Sequence, residues 1–387
     1  MSINIIMLAI ACLLFPMPML MPAAGGAFAT YQVLERVIPE NEKGVINTER
    51  RVNTNGFDVT EVAKFPYVID CQNNFYAVRG KELLKSIDGE TYGVIHEFNN
   101  SIYTVRISPD NCLFVSTQHS FPYQKSNVRG QIHRSKDFGK SFEKVLSLQP
   151  GKVAVAWSFA FSQDGYVYVG EYGEKTKLNS SYVYRSSQNG DHGTWEICFD
   201  SAQYTDISAP NHIHGVFLDP FTNDVYVGYG DEIGCRGNRR STDRGNTWGE
   251  NFEPTEGYLG AVFFQDYVIF LHEWRGVHQY WKISKECHQI VYFGENHADG
   301  YDLIQGRDGV IYACFFVNWA PNDVGVYASG DNGFTWVPII SAKDQVCGYY
   351  FFSRGVDEDG YIYVHPQGDN KIYRFRDLTI EQWNALK

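Results

Sequence analysis

The sequence predicts an all-β fold, a seven-bladed β-propeller over residues 30 to 387, and three observations predict it. A turn pattern, S-x-D-x-G-x-[ST]-[WF], recurs as SKDFGKSF (135 to 142), STDRGNTW (241 to 248) and SGDNGFTW (329 to 336), with looser copies starting at Ser86 and Ser186. A second unit, turn residues followed by an apolar-aromatic strand, occurs seven times. The last of these units ends one strand short, while TYQVLERV (30 to 37) stands as a spare strand near the start of the chain.

Taken in order, the first 29 residues hold all five methionines and no charge, and they close on Ala27-Phe28-Ala29. That is the composition and cleavage pattern of a signal peptide, so the chain is expected to be secreted and extracellular. Pro16, Pro18 and Pro22 would interrupt a membrane-spanning helix. Without this segment seven of the eight cysteines remain (71, 112, 198, 235, 287, 314, 347). An odd number implies at least one free thiol or metal ligand.

The seven strand units are NNFYAV (from 73), DNCLFVS (110), DGYVYVG (164), TNDVYVG (222), QDYVIFL (265), DGVIYAC (308) and DGYIYVH (359). Each is expected to be the second strand, B, of a four-stranded blade. Strand C follows as QIHRS, VYRSS, NRRS or VYASG, then the repeated turn, then strand D. In that turn serine and aspartate bond backbone amides, glycine takes a backbone conformation other residues avoid, and the aromatic tucks beneath. The spare strand at 30 to 37 is expected to close the ring, and TIEQWNALK to form a tail helix.

Hydrophobic residues make up 44% and aromatics 16% of the 387, which is the composition of a chain that buries a core. The net charge of −12, without any lysine or arginine run, excludes a sequence-independent grip on nucleic acid. No membrane partner is expected, and the protein is expected to be a monomer.

Propeller topology sorts the candidate residues. The A–B and C–D turns share one face, and the B–C and D–A loops share the other. Residues just after strand B therefore gather around the axis on the loop face: Arg79, His119, Tyr172, Asp231 with Cys235, His272 with Glu273, Asn318 with Trp319, and His365. His212 and His214 sit on the next strand A with period-2 spacing, so both point one way. One or both, with Asp231, Cys235 and His272, make a nitrogen, oxygen and sulfur set suited to tetrahedral zinc, calcium being the alternative. Arg134, Arg185 and Arg239-Arg240 precede the turn serine at one structural position. They are read either as a grip on carboxylate or sulfate, or as partners of acidic groups on neighbouring blades.

The repeated turn is the Asp-box, and the chain resembles the Asp-box (BNR-repeat) propellers typified by sialidases. The sialidase arginine motif is missing: VRIS (105 to 108) lacks its proline. Residues 110 to 275 are more similar to seven-bladed polysaccharide lyases, the ulvan lyases and rhamnose-glucuronate lyases. That resemblance implies catalytic roles for His119, His133, Tyr172 and Arg185, with a further arginine at Arg239 or Arg240. It also implies a structural zinc held by His, Asp and Cys.

The implied reaction is β-elimination on an acidic polysaccharide or oligosaccharide. Arg185 would neutralise a uronate carboxylate, Tyr172 or a histidine would take the C5 proton, and His119 or His133 would orient the sugar or protonate the leaving oxygen. Arg239, Arg240, Trp319 and His365 would bind the substrate. Two other classes stay open. One is a glycoside hydrolase using acids such as Glu171, Asp231 or Glu273, and the other is a non-catalytic glycan-binding propeller.

Overall fold

The computed structural model describes residues 58–118, 128–173, 180–204, 212–230, 236–252, 257–272, 276–291, 298–317, 324–342, 350–366 and 372–386. Their strands form seven small antiparallel sheets, one per blade. Strand A, nearest the axis, is Val68–Ile69, Ser101–Ile107, Phe159–Phe161, Ile213–Leu218, Tyr258–Phe263, Ala298–Gln305 and Tyr350–Phe352 in blades 1 to 7. Strand B is Phe75–Arg79, Leu113–Gln118, Val167–Gly170, Val225–Tyr229, Tyr267–His272, Ile311–Val317 and Tyr361–Pro366, matching the seven units of the sequence. Among the described residues no helix is long and apolar enough to cross a membrane.

The ring is closed by the N-terminal part of the chain, but by a different segment from the expected one. Val59–Val62 is the outermost strand of blade 7, paired antiparallel with Ile372–Arg376 from Val59 opposite Phe375 to Val62 opposite Ile372. The stretch 30 to 37 lies outside the described residues. Val59–Val62 stands only five residues before blade 1 begins, so a short connection suffices and the outer edge is filled.

The repeated turns fold as their chemistry requires. In the turn of blade 2, Ser135 Oγ donates to Asp137 (2.7 Å) and accepts from Gly139 N–H (2.8 Å), while Asp137 accepts from Ser141 N–H (2.9 Å). The same bonds recur around Ser241 and Asp243 and around Ser329 and Asp331. Gly139, at φ 86°, occupies the left-handed region that only glycine enters without strain.

Most of the core lies between blades. One cluster joins Phe114 of blade 2 to Phe159 and Val169 of blade 3, and another joins Val183 of blade 3 to Val216 and Val227 of blade 4. The tail helix, Ile380–Asn384, follows a Thr379 N-cap and buries Trp383, whose indole N–H donates to Ala328 O (3.2 Å). A side chain at Gly330 would meet that indole at 2.6 Å, which explains the glycine.

Arginines of strand C latch blades 2, 3 and 4 each to the turn of the next. Arg134 donates to Asn189 O (2.5 Å) and pairs with Asp191 and Glu143. Arg185 donates to Arg244 O (2.6 Å) and Asn246 Oδ1 (3.0 Å) and pairs with Glu196 (2.5 Å). Arg240 reaches Lys282 O (2.6 Å) and bonds Asp224 (2.7 Å).

Candidate active site

On the loop face, Tyr172 follows strand B of blade 3 and is locked in place by two backbone bonds with Val153 (2.7 and 2.9 Å). Its ring meets Trp157 edge-on, 6.1 Å between centroids, and lies 4.6 Å from the ring of His212. His212 leads into strand A of blade 4, and His214 follows with ring centroids 4.5 Å apart. Gly230 N–H donates to His212 O (2.9 Å), so the residue before Asp231 is tied to this histidine. Tyr172, His212 and His214 therefore meet, joining one residue of the expected catalytic set to two of the expected metal set.

A second group continues into blade 5. A side chain at Gly257 would run into the His214 ring at 2.3 Å, so that strand start packs against the imidazole. The adjoining Tyr258 lies 5.8 Å from His272 and 6.3 Å from His278, and the two imidazoles are 5.5 Å apart. His278 was not singled out in the sequence. It faces His272 because strand C of blade 5, Gly276–Trp281, pairs with the end of strand B. Exposure of His212, His214, His272 and His278 does not exceed 4%, and Tyr172 is 1% exposed.

Beneath Tyr172 sits a buried polar knot. Glu171 accepts from Gln149 N (2.7 Å) and Nε2 (2.5 Å), Tyr182 N (3.0 Å) and Tyr184 OH (3.0 Å). Burial raises its carboxyl above the usual range, against the pull of those bonds and of Lys152. With its oxygens occupied and the residue fully buried, Glu171 holds the fold together and is in no position to touch a sugar.

Toward the axis, Phe65, Tyr67, Tyr103, Trp157 and Phe351 wall a small cavity of about 50 Å³ at the loop-face end of the channel. His365 adjoins it, its ring 5.5 Å from Phe65. Arg106, Asp302 and Arg354 line its floor, and Arg106, Trp157 and Arg354 also line a larger cavity of about 440 Å³ toward the turn face. The sequence placed none of these three charged residues in a site: Arg106 entered only as part of VRIS, and the candidates were drawn from beyond strand B, from His212 and His214, and from strand C. Asking which ionisable residues fall on or just beyond the axial strands would have found them.

Several expectations need correction. Arg185 does not face Tyr172: it pairs across the sheet with Tyr168, four residues down the strand toward the turn face, and is engaged by Glu196 and the next blade. Arg240 is likewise held by Asp224 and blade 5. Arg239 stacks over Tyr204 at 4.0 Å and bonds Tyr229 and Gly249 O. His133 points into the seam with blade 1, 4.9 Å from Phe98 and 3.2 Å from Thr117 Oγ1. Burial, helped by His96 and Lys144, pushes its imidazole down to about 4, so it is neutral at physiological pH. Strand alternation explains all of these: strand C lies away from the axis, and its side chains meet neighbouring blades.

His119, Asp231, Cys235 and Trp319 lie outside the described residues. Among the described residues no three His, Cys, Asp or Glu side chains are grouped to hold a metal. The adjacent imidazoles of His212 and His214 suit zinc by donor type, and Asp231 and Cys235 would have to complete the set. Cys71, Cys112, Cys198 and Cys314 are free thiols.

No protein-family model and no curated protein sequence matches this chain. Solved structures do. A catalytically inactive histidine-to-alanine variant of virginiamycin B lyase from Staphylococcus aureus with quinupristin is similar at 12% identity and a TM-score of 0.55, covering 83% of this chain and all of that one. The GH74 xyloglucanase from Xanthomonas campestris is similar at 13% identity and a TM-score of 0.59, covering 83% of this chain and 54% of that one. At such identities they share the propeller fold and nothing finer follows from the likeness.

Proposed function

We propose that this chain is a secreted polysaccharide lyase that cleaves a uronate-containing glycan by β-elimination, with its reaction centre at Tyr172 and His212. The observation that carries the reading is the Tyr172–His212 ring contact beside an aromatic-walled opening of the axial channel. Aromatic walls suit the faces of sugar rings, and a phenol beside an imidazole gives one group to take a proton and one to give it.

In this reaction the C5–H bond breaks as its proton passes to the phenolate or imidazole, the C4=C5 bond forms, and the C4–O4 bond breaks. The second group protonates the departing O4. His214 orients His212, and Trp157 and His365 contact the sugar. Arg185, Arg239 and Arg240, occupied between and within blades, take no part. The sugar carboxylate must be neutralised before the C5 proton can leave. Zinc held by His214 with Asp231, Cys235 and His272 would, when bound, supply positive charge at this end of the channel, leaving His212 to the proton transfer.

The near-complete burial of Tyr172 and the histidines favours a second reading, a glycan-binding propeller in which the cluster only staples blades 3 to 5. Product analysis on glucuronate polysaccharides separates the two. A lyase leaves an ultraviolet-absorbing unsaturated uronate, a hydrolase leaves new reducing ends without it, and a binder leaves the polymer whole.

A further inference from the structure

We propose that the waist of the axial channel is a binding site for a small organic carboxylate with an apolar body, its carboxylate gripped by Arg106 and Arg354 and its body filling the cavity on the turn-face side. This stands whether or not the chain catalyses elimination, because Tyr172 lies at the other end of the channel.

Arg106 comes from strand A of blade 2, Asp302 from strand A of blade 6, and Arg354 from just beyond strand A of blade 7. Asp302 is fully engaged, accepting from Arg354 Nη2 (2.6 Å), Phe352 N (3.0 Å) and Leu303 N (3.0 Å). One carboxylate therefore serves one arginine. The Arg106 side chain makes no hydrogen bond or ion pair among the described residues, and its Nε, like Arg354 Nη1, is buried without an acceptor. Burial, and then the like charge of Arg354, push the Arg106 guanidinium down to about 9, which leaves it charged at neutral pH.

The charge count decides the ligand's sign. Among the described residues that line the two cavities, Arg106, Asp302 and Arg354 are the ones charged at neutral pH, burial holding the Tyr67 and Tyr103 phenols neutral, so the waist carries one surplus positive charge inside a protein of net charge −12. Buried N–H groups without acceptors are costly and rare. Guanidinium forks match a planar carboxylate, and a single negative charge balances the surplus.

The cavity decides the body. Phe159, Phe161, Phe217, Leu259, Phe263 and Leu303 line its 440 Å³, a volume in the range of small-molecule sites. Pro220 forms part of the lining, and the adjoining Phe221, on the A–B turn of blade 4, is 58% exposed. A sugar's hydroxyls would find few partners among those side chains. An aliphatic or aryl chain would fit them.

The test is calorimetric titration of the whole protein with octanoate, using acetate and 1-octanol as controls that carry the head or the body alone. Octanoate is expected to bind about tenfold or more tightly than either control. Arg106→Met should weaken it by a similar factor while the unfolding temperature holds or rises, since the variant removes an unpaired, half-buried charge. Arg106→Lys, which keeps the charge and loses the fork, should weaken binding while preserving the fold. Absence of octanoate binding to the parent, or parent-like binding by Arg106→Met, overturns the proposal.

Discussion

The Tyr172 and His212 rings lie 4.6 Å apart, tilted by 58°, although one follows the second strand of blade 3 and the other precedes the first strand of blade 4. The contact exists because Ile213 N–H donates to Glu171 O (2.9 Å), which brings the end of one strand against the start of the next blade. It follows that His212→Phe, which keeps the bulk and loses both ring nitrogens, should lower turnover by on the order of 10²-fold. The denaturation midpoint, measured on the same preparation, shows whether the fold survived.

Arg185 gives the opposite expectation. Because it latches blade 3 to the turn of blade 4, Arg185→Met should cost about 1–2 kcal/mol of stability in urea unfolding, with turnover of the folded protein unchanged. Loss of turnover at undiminished stability would return Arg185 to the substrate.

Acid should loosen the turns. Hydrogen bonds from Ser86, and from Ser141 and Thr247 respectively, hold the carboxyls of Asp88, Asp137 and Asp243 near 2, below the ordinary aspartate value. A depressed folded-state value stabilises the fold above the unfolded value of about 4, and that contribution is lost as pH falls through about 2. Unfolding free energy measured between pH 4 and 2 should therefore decline, and the decline should flatten in the Asp137→Asn, Asp243→Asn double variant.

Metal analysis addresses the histidine cluster. Purified protein is expected to carry about one zinc per chain, Cys235→Ala should lose it, and His272→Ala should weaken it. Full retention in the Cys235 variant would take that thiol out of the set.

How far the sequence could be read follows the range of the interactions. The turns and strand B units are local, each encoded within about ten residues, and repetition made them legible. Ring closure is not local: Val59–Val62 is short and carries a weak pattern, whereas TYQVLERV looks more like a strand. Blade topology placed Tyr172, His212 and His214 on the loop face, but the pairing of His212 with Tyr172 depends on the hydrogen bond between Ile213 and Glu171, which joins two blades. The fate of Arg185 and His133 was not, since a side chain on strand C chooses between neighbours that only the blade-to-blade packing defines. Arg106 and Arg354 lie nearly 250 residues apart and meet only at the axis.

The central claim is that Tyr172 takes part in eliminating a uronate, and the rise of unsaturated product from a glucuronate-containing polysaccharide tests it most directly. Tyr172→Phe keeps the ring against Trp157 and His212 and removes the proton acceptor. Its turnover is expected to fall by a factor on the order of 10² to 10⁴, with substrate affinity little changed. A folded Tyr172→Phe protein as fast as the parent on a substrate the parent cleaves would contradict the account.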